Sequence, residues 1–555
     1  MSILKPISPF YEVKPATFFH FFLIIYFVSG IIHLGYFPLN GDEPRRAIVS
    51  IEMLESGNYI KPTTLGWDYY NKPPVYNWVI VFFIKLTGTC SELAIRLPSL
   101  VFMIMWGVVN FYITKRLIPD FLAALSSIFL LTSFDIYFWG LNNGGEIDIF
   151  YSFIVYLQVI SIFYFNLQRK WLLLFIFSYA LCAVGLLTKG FPSVLFQVFT
   201  LIALAVYNRS VRFIFTWQHL VGCFTFLLLA GAYFYAYSYF NNPWIYLGDL
   251  LKESFNKSAF GEYSERLVYK ILTYPFSFLK ILLPWSVLLV FAWRKNVRDI
   301  WQQPLVFFSL LFILFNIAPY WFTGHPRMRY VYMFLPFAMF IIVFLFHRLV
   351  QQYEKPVRLF LLKAGYIFVL FLLGLVVLPF FYDLSFFYLT ISYLLLSVFI
   401  IGYFKLHFPG ILKFCLGIVL LRLVFALLII PLKFRDTSNK YPQHMAAMAA
   451  INNYESVSIY KRPEQLDLTI DLKMTDLKLG SIPAIPYMAY QIPYYYYLST
   501  GRVVTYDTLL QVNKNYIGFE SDLKDYRIKV FYSFRDANQN NDNVLLFRLK
   551  EADSP

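Results

Sequence analysis

Runs of Phe, Leu, Ile and Val, separated by short clusters of charged and turn-forming residues, fill most of the chain as far as Pro431. A helix that crosses a bilayer needs about 20 mostly apolar residues. On that measure spans are predicted near residues 17–37, 93–113, 118–138, 148–167, 171–188, 190–207, 213–237, 276–293, 303–321, 329–349, 358–380, 384–404 and 409–431, about thirteen in all. Two stretches depart from this pattern. Residues 38–92 contain Pro62, Pro73-Pro74 and one short apolar run, Val75–Leu86, and read as a loop carrying a juxtamembrane helix. From 432 to 555 strand-like runs at Val457–Tyr460, Arg502–Tyr506 and Val544–Phe547 alternate with amphipathic helical stretches, which predicts a small α/β domain. Within it, Tyr494–Tyr497 is predicted as a core strand, with an interfacial tract as the alternative. No internal repeat is visible.

Composition agrees with the pattern. Of 555 residues, 59% are hydrophobic, 21% aromatic and only 14% charged, where soluble domains carry about 25% charge. A net charge of +15 would suggest nucleic acid in a soluble chain. In a membrane chain, anionic headgroups and the positive-inside bias account for it, and no nucleic-acid partner is expected. Cys90, Cys182, Cys223 and Cys415 have no CxxC spacing and read as packing residues. No cleavable signal peptide is expected, since the first span is too long for an h-region.

Charge also orients the chain. With the N-terminus inside, Lys115/Arg116, Arg169/Lys170, Arg209/Arg212, Arg294/Lys295/Arg298, the segment from His347-Arg348 to Lys363, and Lys405/Lys413 all fall on the cytoplasmic side. The opposite loops 139–147 and 380–386 hold no Lys or Arg. An odd number of spans then places residues 432–555 outside, giving a membrane domain over 1–431, with 38–92 as its first outer loop, and an outer C-terminal domain. A multi-pass protein of the cytoplasmic (inner) membrane is expected, with its active site and C-terminal domain on the periplasmic face.

On that outer side the few cations need a reason: Arg45, Arg46, Lys61 and Lys72 in the first loop, Lys189 in Thr188-Lys189-Gly190, and Arg327 and Arg329 in Gly324–Tyr330. Acids gather there too, as Asp42 and Glu43 and as Glu146 and Asp148. Cations of this kind suit a lipid phosphate, with Arg giving bidentate contact and Lys a point charge, and a carboxylate beside them suits work on a hydroxyl. Each cation taken singly also reads as an interfacial anchor that snorkels to water. Glu43 reads as structural.

Gly41-Asp42-Glu43-Pro44-Arg45, Met53–Tyr59, Asn71-Lys72-Pro73-Pro74-Val75-Tyr76-Asn77-Trp78 and Arg96-Leu97-Pro98 resemble the first-loop signature of the GT-C polyprenyl-phosphate-sugar glycosyltransferases, of the protein O-mannosyltransferase and lipid A aminoarabinose transferase type. Asp148, Thr188-Lys189-Gly190, Pro284-Trp285, and Arg329-Tyr330 followed by Pro336 extend the resemblance over roughly residues 40–340. The resemblance implies a polytopic α-helical GT-C fold. It also implies an inverting transfer of a sugar from a polyprenyl-phosphate carrier to lipid A, another envelope glycan or a protein. Asp42 and Asp148 would be the catalytic acids, with Glu146 as a helper. Arg45, Lys72, Lys189 and Tyr330, assisted by Arg327 and Arg329, would contact the donor phosphate. Fixed cations would stabilise charge developing on the leaving phosphate, and a carboxylate would take the proton of the attacking hydroxyl.

Three departures stand out. Asn71 replaces the Glu that some relatives carry before Lys-Pro-Pro, Glu253-Ser254-Phe255-Asn256-Lys257-Ser258 stands where relatives have E-H-x-x-R-F, and Arg327 and Arg329 stand where relatives often have Lys. None of the seven histidines pairs with another at metal-ligand spacing, so a His-based zinc site is not expected. A Mg²⁺ or Mn²⁺ held by Asp42 and Asp148 stays open. Two alternatives remain: a lipid-linked sugar flippase, which would carry ionisable residues at mid-membrane, where only Arg422 and Lys85 are candidates, and a silent relative that binds an envelope lipid.

Overall fold

The computed structural model describes residues 14–141, 144–256, 267–292, 297–322, 327–374, 377, 381, 385–405, 410–431, 440–461, 464–471, 476–484, 489–536 and 542–550. After helix α1 (Pro15–Ile31) the chain leaves the apolar pattern for α2 (Glu43–Ser56), a hairpin of β1 (Thr63–Thr64) and β2 (Trp67–Asp68), and α3 (Val75–Thr87). Pro44 sits in the first turn of α2, and Gly57, at a φ of 68°, ends it, the usual asymmetry of helix start and stop. The juxtamembrane helix expected at Val75–Leu86 is α3.

The apolar helices follow as α4 (Glu92–Thr114), α5 (Asp120–Leu131), α6 (Asp148–Leu167), α7 (Trp171–Lys189), α8 (Pro192–Asn208), α9 (Trp217–Ser238) and α10 (Pro243–Asn256). Further helices cover Leu267–Ile281, Pro304–Asn316, Leu335–Gln352, Glu354–Gly374, Phe386–Lys405 and Gly410–Val424. Among the described residues, seven are long and apolar enough to cross a membrane by length and composition: Glu92–Thr114, Asp148–Leu167, Trp171–Lys189, Trp217–Ser238, Met328–Gln352, Phe386–Tyr403 and Gly410–Ile429. Seven of the expected thirteen spans are therefore met on this measure.

Apart from 358–380, which meets the 21-residue helix Glu354–Gly374, the other expected spans fall on shorter or interrupted helices, and local chemistry explains several of the breaks. After α5 the hydroxyls of Thr132 and Ser133 bond back to the carbonyls of Ile128 and Phe129, which loosens a helix, and a π-helical turn, Asp135–Gly140, follows. Pro275 lies inside Leu267–Ile281, and Pro319 follows Pro304–Asn316 three residues on. Lys257, Ser258 and Gly324-His325-Pro326 of the motifs above lie outside the described residues.

The C-terminal part has the mixed helix-and-sheet character read from its pattern. A helix, Tyr441–Ile451, precedes β3 (Ser458–Tyr460), a two-stranded antiparallel pair β4 (Glu464–Asp471) and β5 (Asp476–Ala484), and a second helix, Gln491–Thr500. Then come β6 (Thr505–Asp507), β7 (Asn515–Phe519), β8 (Ile528–Arg535) and β9 (Asn543–Leu549), in a five-stranded sheet of order β6-β3-β7-β9-β8. β3 runs parallel to β6 and β7, and β9 antiparallel to β7 and β8.

The tyrosine tract is a correction: Tyr494–Tyr497 is helical. Pro493 lies in the first turn of that helix and Gly501, at a φ of 67°, caps its end; these punctuation marks outweigh the β preference of tyrosine. Its buried rings share one hydrophobic core with Leu39, Ile48 and Tyr76 of the first loop and with Ile459 and Ile517 of the sheet. The Tyr495 hydroxyl accepts from the Leu39 amide at 2.7 Å, and the Tyr494 hydroxyl donates to the Cys90 carbonyl at 2.8 Å. The C-terminal part is thus seated on the loop that carries Asp42.

Candidate active site

The two acidic loops are held together by a buried ion pair. The Arg96 guanidinium of α4 donates to both carboxylate oxygens of Glu43, at 2.8 and 2.7 Å, and to the carbonyls of Leu34, Phe37 and Pro38. Glu43 in turn accepts the amide of Gly145 at 2.8 Å. Arg96 is 1% exposed and Glu43 0%. This bidentate, fully partnered geometry is what a buried charge requires, and it fixes the end of α1, the start of α2 and the loop before α6 in one place. Gly41 adopts a left-handed φ of 60°, and a Cβ there would come within 3.3 Å of Glu146. Close approach of the two loops therefore favours glycine at that turn.

Asp42 and Asp148 project from these anchored loops, each beside the first turn of a helix. Arg45 donates to Asp42 at 2.5 Å. Arg329 reaches Asp42 at 3.4 Å, Asp148 at 3.1 Å and the carboxylate of Glu146, so one guanidinium serves three acids. Arg327, 60% exposed, stands 3.9 Å from Asp42. Lys189, at the end of α7, pairs with Asp148 at 2.5 Å and lies 4.3 Å from the centre of the Tyr330 ring and 5.0 Å from that of Tyr151. Arg45 also stacks over Tyr490 of the C-terminal part, at 5.7 Å.

Charge states follow from this geometry. Burial raises the pKa of Asp42, but Arg45, Arg46, Arg329 and Arg327 together outweigh burial and hold the group below its ordinary 3.8. Asp42 is a carboxylate. Glu146 goes the other way: burial and the neighbouring Asp148 push it up to about 8 against the pull of Arg329, the pattern of like charges sharing one site.

Next to this centre lies a cavity of about 180 Å³. Lys72, Lys189 and Tyr330, together with Glu253, Ser254 and Asn316, line its polar side, and Phe191, Leu195, Phe196, Phe199 and Pro319 its apolar wall. Lys72 is paired with Glu253 of α10, and its carbonyl accepts the Tyr246 hydroxyl at 2.7 Å. A smaller space of about 40 Å³ touches Glu146, Asp148 and Arg329 and is lined further by Trp139 and Tyr332. Tyr332 donates to Asp135 of the π-helical turn at 2.6 Å.

The structure gathers Asp42, Arg45, Glu146, Asp148, Lys189, Arg327, Arg329 and Tyr330 into one centre and sets Lys72 at the cavity edge. Three features escaped the sequence reading. Arg96 is a strut that binds Glu43, Glu253 neutralises Lys72, and Tyr490 reaches Arg45 from the far end of the chain. Only the second had a visible signal, an acid in a segment expected on the side where charge is scarce. Among the described residues no group of three or more His, Cys, Asp and Glu side chains could hold a metal ion. As placed, Asp42 and Asp148 do not fit a bridging cation, because both contact the Arg329 guanidinium.

Residues 71–243 match the family of dolichyl-phosphate-mannose-protein mannosyltransferases. The chain is 25% identical over 322 residues to the undecaprenyl phosphate-alpha-4-amino-4-deoxy-L-arabinose arabinosyl transferase of Pseudomonas aeruginosa (strain UCBPP-PA14), covering 56% of this chain and 55% of that one. It is 25% identical over 304 residues to an uncharacterized protein of Aquifex aeolicus, covering 53% and 57%. The match spans about half the length of these relatives. Among solved structures, ArnT from Cupriavidus metallidurans bound to undecaprenyl phosphate superimposes with a TM-score of 0.65 at 16% identity, over 97% of this chain and 99% of that one. Its apo form gives 0.61 at 15% identity, over 96% and 97%. In fold along nearly its whole length, and in sequence over about half of it, the chain is similar to the GT-C polyprenyl-phosphate-sugar transferases of the ArnT and protein-mannosyltransferase type.

Proposed function

We propose that the protein is an inverting glycosyltransferase that moves one sugar from a polyprenyl-phosphate carrier to lipid A, another envelope glycan or a protein at the outer face of the cytoplasmic membrane. One observation carries this reading: an apolar cavity whose polar side, including Lys72, Lys189 and Tyr330, adjoins the centre of Asp42, Asp148 and Arg329. A lipid tail fits the wall of Phe191, Leu195, Phe196 and Phe199, and its phosphate fits the cations. The similar ArnT structure holds undecaprenyl phosphate, which agrees with this choice of ligand class.

In the proposed reaction the acceptor hydroxyl attacks C1 of the sugar and the C1–O bond to the phosphate breaks. The bonding electrons stay on the phosphate oxygen, and the hydroxyl proton passes to the Asp42 carboxylate. Displacement from the opposite face inverts the anomeric centre. Lys189 and Arg329, now paired with carboxylates, would turn part of their charge to the phosphate. Cations fixed near the leaving oxygen stabilise the transition state more than the ground state. The same exchange relieves Asp42 of some of the positive charge that lowers its pKa, and so makes it a better base. No step passes through a metal. A Mg²⁺ or Mn²⁺ between Asp42 and Asp148 would require Arg329 to leave, so this account expects transfer to survive chelation by EDTA.

The proposed arrangement has a membrane domain over 1–431 crossing about thirteen times, the interrupted helices pairing up to cross, and a periplasmic domain over 432–555. The flippase alternative loses ground because the acids and cations gather at one end of the helices. Arg422, within Gly410–Val424, is the buried exception and lies over Phe138 and Phe425. Binding of undecaprenyl phosphate to the purified protein tests the cavity assignment. Lys189→Met should weaken binding on the order of tenfold or more, the worth of one charge-assisted contact. Unchanged binding would remove the phosphate from this centre.

A further inference from the structure

A second cavity, apart from the proposed active site, lies at the other end of the same helices. Asp148 opens α6 and Asn166 lies 18 residues further on, next to its end; at 1.5 Å per residue the two are about 27 Å apart, close to the thickness of a bilayer core. Here the turn between α6 and α7 meets the turn between α8 and α9 around a space of about 540 Å³, lined among others by Asn166, Arg169, Trp171, Asn208, Ser210 and Arg212.

We propose that this cavity binds the phosphate headgroup of an anionic phospholipid. The site does not depend on the transferase reading. Its floor is built: Asn166, 7% exposed, and Asn208 exchange amide hydrogen bonds at 3.2 and 2.8 Å, and Trp171 stacks on Phe213 at 5.5 Å. Arg169 and Arg212 supply the cationic walls, and among the described residues no carboxylate pairs with either. Both arginines are exposed. Leu167, which lines the space, is 41% exposed, and exposed apolar side chains flank the lining residues in sequence, Val211 at 55%, Phe215 at 83% and Trp217 at 61%, so the surroundings are apolar. A soluble anion has no use for such surroundings, whereas acyl chains do. Basic pockets between spans on the cytoplasmic side suit anionic headgroups. Arg169, just past the C-terminus of α6, also complements the helix dipole, and both arginines fit the positive-inside bias, but neither role requires an open cavity with an amide floor.

The full-length protein, delipidated in detergent, would be titrated with phosphatidylglycerol and with phosphatidylcholine of the same acyl chains, and bound lipid counted by native mass spectrometry. Wild type should prefer phosphatidylglycerol. Arg169→Gln with Arg212→Gln should weaken that binding about 30-fold, the loss expected for two surface cations. Ser210→Trp, which fills the space and keeps both arginines, should weaken it as well and covers the case in which the double variant fails to fold. Wild-type binding in Ser210→Trp, equal binding of phosphatidylcholine, or full displacement of the lipid by an equal concentration of inorganic phosphate would each overturn the assignment.

Discussion

At Asp42 two effects oppose each other. Burial disfavours the charge, while Arg45, Arg46, Arg329 and Arg327 favour it, and the arginines win. Glu43, one residue on, is ion-paired to the deeply buried Arg96, accepts the amides of Gly145 and Asn40, and lines neither of the two spaces at the site. The adjacent acids therefore separate into a group with several exchangeable partners and a group locked in the scaffold. Removing one member of a buried, hydrogen-bonded pair leaves the other uncompensated, at a cost of about 3–5 kcal/mol. Arg96→Met should thus lower unfolding stability by that amount in detergent, measured by chemical denaturation. A loss under about 1 kcal/mol, the worth of a surface pair, would contradict the strut role.

At the level of elements, α2 is tied to the hairpin after it by Glu52, whose carboxylate accepts from the Thr63 hydroxyl at 2.7 Å and from the amides of Leu65 and Gly66. Burial raises Glu52 from 4.5 to about 7 despite these bonds. Below pH 4.5 the group is protonated whether the chain is folded or not. Between 4.5 and about 7 the unfolded chain ionises first, so the folded state holds the extra proton and stability falls as pH rises; above about 7 that contribution is gone. Thermal unfolding should show this decline in wild type and a flatter profile in Glu52→Gln; equal slopes would refute the shift.

Several elements could be read from the pattern alone. α3 and the strands at Ser458–Tyr460, Thr505–Asp507 and Asn543–Leu549 lie at or near their expected positions, because apolar period and turn residues are local signals. The lengths of the apolar helices could not be read in this way. Hydropathy does not see the back-bonding of Thr132 and Ser133 or the π-helical turn that follows. The tyrosine tract departs from the expected strand because Pro493 and Gly501 bound a helix there. Single-residue chemistry at the site was legible as well, since charge on the side opposite the positive-inside loops is scarce. The pairings of Arg96 with Glu43 and Lys72 with Glu253, which link residues 53 and 181 apart in sequence, were not.

For the molecule as a whole, the packing of the C-terminal part on the segment after α1 puts Tyr490 beside Arg45 and makes one assembly of residues far apart in sequence. If the membrane domain crosses an odd number of times, a periplasmic reporter fused after Lys433 should be active, and activity of a cytoplasmic reporter alone at that point would overturn the parity. The central claim is that sugar transfer takes place at Asp42. Its most direct test is mass spectrometry of lipid A, envelope glycans and glycosylated proteins from a strain lacking this protein, complemented either by wild type or by Asp42→Asn at equal membrane abundance. The account predicts one missing sugar that wild type restores and Asp42→Asn does not; full restoration by Asp42→Asn would contradict it.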